Sequence, residues 1–452
     1  MEELTTYRSF TLIKNKKTSK YKLTVVILVY LQLINIITGP DIILKFMGYK
    51  YSSIEETNLG WLTTTINIAF IFMSFIVLLN NKSYSVKLLK GSKQLLLMLG
   101  LIIFSLVFVP SPMINQSLSS IILSIGAFSK AFSLVILLNK HTLSISDVLL
   151  KIVKVIILLM IVYLVLFFQN GFSQVLLGRY QSFFSQPNNL GQFCALAILT
   201  LFADKLSKKK GAKLFNNKSI FFFYLTSAIC FIIISQSFTT FISIFLVLLT
   251  YFLYSIRKKV LKTLILISLA LFTAFFFSNS TRLSFQLNGF ITKSILSDFN
   301  RDLTLTGRTQ IWRDVFDKIK NDNKVITGYG IGGFWGKERA PSSQVENSLF
   351  TEIGQAHNGL VELCVEYGLL GVILFVSFLV FIVNKLPLIY WQYKDIIFFN
   401  FFLIFFIFNN LVEASFLQPK HFLNCIFLLI SIIVLNSKKV KTKSIVLINP
   451  NI

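Results

Sequence analysis

Residues 354–375 read "GQAHNGLVELCVEYGLLGVILF". The second half opens an apolar run that continues to about residue 383, long enough for a transmembrane helix, which needs roughly 20 residues. The first half puts His357 and Asn358 at the mouth of that run, and Glu362 and Glu366 follow inside it. Ionisable groups at membrane depth are costly and by default mark function. An isolated histidine here would be a polar cap at the interface. Beside a neighbouring arginine-bearing loop it is placed to act as a general base. Gly368 and Gly371 further along are expected to allow close helix packing.

The same apolar character recurs along the whole chain. Of 452 residues 54% are hydrophobic, 48 are phenylalanine, and the mean hydropathy is +0.72. Apolar runs lie at roughly 23–38, 59–79, 95–109, 114–138, 148–168, 188–203, 219–235, 238–255, 260–278, 358–383, 396–411 and 421–435. The expected fold is therefore an all-α integral membrane protein, a single polytopic domain over 1–452 with about twelve transmembrane helices. The start of the chain has no small-residue cleavage site before its first apolar run, so no cleaved signal is expected.

The net charge of +25 would suit nucleic acid, but the lysines come in short bursts between apolar runs. Lys14 to Lys20, Lys82 to Lys93, Lys205 to Lys213, Arg257 to Lys259 and Lys438 to Lys443 all fall on one side if both termini are cytoplasmic. That is the pattern of the positive-inside rule, with anionic lipid as counter-charge. Asp41, Glu55, Glu56, Asp298, Asp302, Asp314, Asp317 and Asp322 fall on the other side. Cys194, Cys230, Cys364 and Cys425 sit in apolar stretches without paired spacing, so they are expected to be buried small hydrophobes, not a disulfide framework or metal site.

Two outer segments carry chemistry. One is "QNGFSQVLLGRYQSFFSQPNNLG", 169–191, with Arg179 and Asn188. The other is a large extracytoplasmic loop, 279–357, too long to be a mere connector and expected to carry part of the active site. Within it "TGRTQIWRDVFDKIKNDN" (306–323) is periodic as an amphipathic helix: Ile311, Trp312, Val315, Phe316 and Ile319 share a face opposite Arg313, Asp314, Asp317 and Lys320. Arg308 falls in its first turn, where unpaired N–H groups and the helix dipole favour an anion. "GYGIGGFWG" (328–336) lacks both the G-x-G-x-x-G spacing and G-K-[ST], so it is a close-packing loop and not a nucleotide site, with Phe334 and Trp335 expected to dip toward lipid or sugar.

Four stretches together resemble the O-antigen ligase and O-antigen (capsule, exopolysaccharide) polymerase family of multi-span bacterial membrane proteins. They are "GRYQSFFSQPNNLG" (178–191), "GRTQIW" (307–312), "GYGIGGF" (328–334) and "AHNGLVELCVEYGLLG" (356–371), the last carrying the histidine, ten residues and glycine of the ligases as His357 and Gly368. One departure stands out. Where the family often carries a basic residue after Ser-x-Ser, "SQSFTTF" (235–241) has Phe238, and Arg179 is the candidate replacement.

The resemblance implies a polyprenyl-diphosphate-dependent glycosyltransferase of the bacterial cytoplasmic membrane, active site outward. His357 and Arg308 would be catalytic; Arg179, Asn358, Arg313 and Asn188 would bind diphosphate or glycan. It implies no cofactor and no metal. The partners would be an undecaprenyl-diphosphate-linked oligosaccharide donor, a glycan acceptor, membrane lipid, and chain-length regulator and flippase proteins of the same pathway, with no nucleic acid. A bias toward Lys, Asn, Ile and Phe, expected of an AT-rich genome, favours a polymerase. A ligase with another acceptor and a lipid-linked sugar transporter are the alternatives.

Overall fold

A computed structural model describes residues 19–39, 60–108, 113–168, 179–207, 218–255, 308–336, 340–343, 345, 354–386 and 393–437. Among them every regular element is a helix: α1 (Ser19–Thr38), α2 (Gly60–Asn80), α3 (Lys82–Gly91), α4 (Lys93–Phe108), α5 (Ile114–Lys140), α6 (Ile145–Leu166), α7 (Pro187–Ser207), α8 (Lys218–Ile234), α9 (Phe238–Ser255), α10 (Arg308–Asn321), α11 (Gly359–Lys385), α12 (Tyr393–Asn409) and α13 (Phe422–Asn436). Each apolar run of the sequence coincides with one of these, except 260–278, which lies outside the described residues. Arg282, Lys293 and Arg301 of the outer loop, and both termini, lie outside them too. By length and composition α2, α5, α6, α7 and α11 are each sufficient to cross a membrane. The basic helix α3 meets α4 at 86°, and the two together make a sixth candidate. The apolar helices α1, α8, α9, α12 and α13 are shorter.

The central pillar is α7, packed against α6, α8, α9 and α12; α5 packs against α1, α2, α4 and α13. Of their most apolar windows 78% and 83% respectively are buried, against 6% in α2, which places α2 at the lipid-facing periphery. Phenylalanine fills the space where α11, α12 and α13 meet: Phe375 with Phe416 (4.6 Å between ring centres), Phe406 with Phe427 (4.7 Å) and Phe406 with Phe416 (5.2 Å). Interlocked rings fill this volume with large apolar area and favourable edge geometry. Cys194, Cys364 and Cys425 are buried as expected, while Cys230 is exposed on α8.

The bundle has two polar ends. At one, Lys140 donates to Asn81 (3.2 Å), Lys385 to the carbonyl of Leu435 (2.6 Å) and Asn436 to Ser92 (2.8 Å). There too Asp395 of α12 accepts from Ser144 Oγ (2.8 Å) and from Ser146 N (3.0 Å) at the start of α6, an anion at a helix N-terminus. The other end gathers α10, the loop 410–421 and the starts of α7 and α11.

Helix α11 is broken at Gly368, whose φ of 64° and ψ of −168° leave the helical region. The break frees backbone groups that the glycine-rich segment satisfies. Tyr329 and Gly330 donate to the carbonyls of Val365 and Glu366 (2.9 Å each), and the N–H of Leu369 donates to Val325 (2.9 Å). Gly368 is thus a site of backbone insertion and not the smooth helix-packing position expected from sequence. A Cβ there would lie 2.1 Å from the carbonyl oxygen of Ile326. Gly368→Ala combines left-handed strain with a backbone clash and should destabilise the protein by roughly 3–5 kcal/mol, seen as a lowered Tm in detergent. Gly100→Ala, in α4 with nothing within 4 Å, is the neutral control. Equal Tm values for the two variants would contradict this account of the break.

Candidate active site

Helix α10 forms where the amphipathic pattern placed it, and Ile311, Val315 and Ile319 are buried. They pack with Tyr329, Phe334, Ala356, Val361 and Val365, so α10 caps the start of α11. Phe316 stays exposed. Phe334 and Trp335 turn inward, not toward lipid or sugar: Phe334 is fully buried between Tyr329 and Trp335, and the Trp335 indole donates to Glu362 (2.8 Å). Glu362 also accepts from the N–H of Ala356 (2.8 Å), and Glu366 accepts from Gly332 (3.3 Å). These two carboxylates of α11 therefore tie down the glycine loop and the approach to His357; they are not at the reacting centre.

The cap of α10 brings Arg308, its first residue, into the bundle. Arg308 is 7% exposed. Its Nη2 meets Glu413 Oε1 at 3.1 Å and its Nη1 donates to the carbonyl of Val412. Glu413, 5% exposed, is the hub of the site. Its Oε1 also accepts from Asn188 Nδ2 (2.8 Å), and its Oε2 lies 3.7 Å from His357 Nδ1. That last distance is an ion-pair contact for a protonated ring, and such contacts tighten when substrate is bound. Asn188, in the first turn of α7, accepts in turn from Arg179 Nη2 (2.7 Å). Arg179 Nε donates to the carbonyl of Ser235 (3.0 Å) in the turn between α8 and α9. That turn immediately precedes Phe238, and Arg179 also donates to the carbonyl of Gln236 within it (3.4 Å).

Burial alone would raise the Glu413 pKa, but the His357 ring and the Arg308 guanidinium outweigh it and hold the carboxyl below its ordinary range. A buried pair of this kind is strongly destabilised when one partner is removed, by about 3–5 kcal/mol.

His357 is half-buried and adopts a left-handed backbone, φ 51°. Strained residues of this sort cluster at functional sites. Asn358 caps α11, accepting from Leu360 N (2.9 Å), and donates to the carbonyl of Leu411 (2.9 Å). It braces the loop that carries Glu413 and has its polar atoms occupied. Arg313 is exposed on the opposite side of α10 and is not brought to the others.

Sequence reasoning missed Glu413 and His421. An acidic residue in "NNLVEASF" (409–416), at the mouth of an apolar helix, was the available signal. His421 caps α13, its Nδ1 accepting from Leu423 N (3.3 Å), and burial pushes its pKa down to about 4 against the pull of Glu413. A histidine lowered in the folded state makes the unfolded chain bind more protons between about 4 and 6.5, so stability is complete above that window and is lost as pH falls through it. The loss should approach roughly 3 kcal/mol at its lower edge. Glu413, depressed, adds its own loss as pH falls from the ordinary carboxylate range toward its lowered value. His421→Asn keeps a capping oxygen without titrating, so its Tm should drop less between pH 7 and 4.5. Identical drops would place acid sensitivity elsewhere.

Residues 222–376 match the family model described as O-Antigen ligase. The matched span runs from within α8 through α10 to Val376 and contains Arg308, His357 and Gly368. Arg179, Asn188 and Glu413 lie outside it. A comparison with curated proteins returns no match.

Proposed function

We propose that this chain, which shares the O-antigen ligase domain over residues 222–376, transfers a glycan from a polyprenyl diphosphate carrier to a sugar hydroxyl at the outer face of the bacterial cytoplasmic membrane, lengthening a surface polysaccharide. The observation that carries this reading is the convergence on one carboxylate, at one end of the bundle, of Arg308, His357 and, through Asn188, Arg179.

The donor's undecaprenyl tail lies in lipid and its diphosphate meets Arg308 and Arg179. The acceptor oxygen forms a bond to the anomeric carbon, and the bond from that carbon to the diphosphate oxygen breaks, its electron pair leaving with the diphosphate. The hydroxyl proton passes to His357 Nε2, since Nδ1 faces Glu413. Glu413 then pairs with the imidazolium. Charge grows on the leaving diphosphate, and preorganised arginines stabilise it by a few kcal/mol per well-aimed donor, about 2.7–4 in measured cases. Glu413 positions both arginine and ring. A transporter would place its ionisable groups near the midplane of two halves; Arg308, Arg179, His357 and Glu413 gather at one end. Chain-length regulator and flippase proteins would be pathway partners.

Twelve crossings with both termini cytoplasmic fit this arrangement. Tyr251 of α9 packs on Phe401 of α12 (5.4 Å), so α9 runs toward the lysine end, whereas α10 begins at the other. Ser342, outside by sequence, is fully buried, so exposed Arg313 is the better probe. Arg313→Cys should react with an impermeant maleimide in intact cells and Ser207→Cys should not; the reverse pattern would invert the orientation.

The decisive test is purified protein with lipid-linked repeat units. Laddered products mean polymerisation, and one transfer to a different acceptor means ligation. No transfer to any glycan acceptor would remove the glycosyltransferase reading.

A further inference from the structure

A second polar cluster lies between α1, α2 and α5, away from the site above. Lys130 of α5 is 9% exposed, and its Nζ donates to Asn35 Oδ1 of α1 (3.2 Å) and Asn67 Oδ1 of α2 (3.3 Å). One turn deeper, Gln32 donates to Ser74 (2.7 Å) and Ser133 (3.0 Å) across the same three helices. These neutral bonds already link α2 to the bundle. A buried cation is costly inside a membrane unless something pairs with it. Among the described residues no carboxylate does. Both asparagines turn their oxygens to the ammonium, and neither side-chain NH2 donates to a described protein group. The ammonium and the two NH2 groups together are a donor set for an oxyanion.

Its depth narrows the ligand. Asn35 lies one turn from the outer end of α1, and α13, which packs on α5, starts immediately after the loop carrying Glu413. Along α1 the cluster lies toward the end of the bundle that also holds the candidate active site. α2 forms its lipid-facing wall, with Ile68 and Phe72 exposed. A phosphate whose hydrocarbon tail stays in lipid can reach it there.

We propose that Lys130, Asn35 and Asn67 form a second prenyl-phosphate site, which holds the diphosphate of the acceptor while Arg308 and Arg179 hold that of the donor. This rests on the polymerase reading: lengthening a lipid-linked glycan by another lipid-linked unit brings two carriers to one enzyme, and so requires two oxyanion sites.

The test is native mass spectrometry of the full chain in phosphatidylcholine nanodiscs, titrated with farnesyl diphosphate as probe. The wild type should bind two copies. Lys130→Met should bind one, and Lys130→Arg should retain two. Replacing a buried charge by an apolar side chain of similar length is often neutral for folding, and an unchanged Tm verifies it. Two copies on Lys130→Met, or one on the wild type, would overturn the second site. Displacement of the second copy by equimolar phosphatidylglycerol would also overturn it, making the cluster a general anionic-lipid site. If Arg179→Ala/Arg308→Ala still binds two copies while Lys130→Met binds one, the donor site is misplaced but this site stands.

Discussion

Arg308→Ala should abolish glycan transfer, with turnover falling at least 10²–10³-fold, the loss typical of one preorganised donor at developing negative charge. The variant also leaves Glu413 buried without its ion pair, so the fold should weaken by about 3–5 kcal/mol. The two effects separate in the double variant Arg308→Met/Glu413→Gln. Removing both charges should restore much of the Tm and none of the activity. Arg308→Lys should rescue poorly, because the guanidinium reaches Val412 and Glu413 from two nitrogens and a point charge cannot copy that fork. Transfer measured with purified variants and lipid-linked substrate decides. A lysine variant that works at the wild-type rate would rule out a planar, two-pronged role for this residue.

His357→Ala should lower turnover by a factor on the order of 10² to 10⁴, as expected for a lost general base. Donor affinity should barely change if, as proposed, the arginines and not the histidine hold the diphosphate. The left-handed backbone at His357 raises the question of strain, and His357→Gly answers it. Glycine relaxes φ without restoring the ring, so its activity should be as low as that of alanine. A His357→Gln enzyme that turns over like the wild type would reduce the histidine to an interfacial cap.

Much of this molecule could be read locally. Helix formation in an apolar solvent is forced on each long apolar run, because backbone groups there have no other partner. That is why runs such as 114–138 and 358–383 became α5 and α11 within a few residues. The 3.6-residue period of Ile311, Val315 and Ile319 specified α10 in the same way. Arg308, Arg179, Asn188 and His357 stood out because charged and polar groups are rare beside such runs.

Tertiary structure decided what those residues do to one another. Arg308 and Glu413 are 105 positions apart, Asn188 and Glu413 are 225, and no local pattern encodes such pairings. Helix crossing alone brings them together, so Glu413 was invisible among loop residues until the loop 410–421 folded over α7 and α10. Gly368 shows the same limit. Its sequence context is a helix, and only the insertion of residues 325–330 explains why that helix must break there. Arg313, with the same charge as Arg308 and five residues away, faces outward because a helix turns by about 100° per residue and only one of the two can point into the bundle.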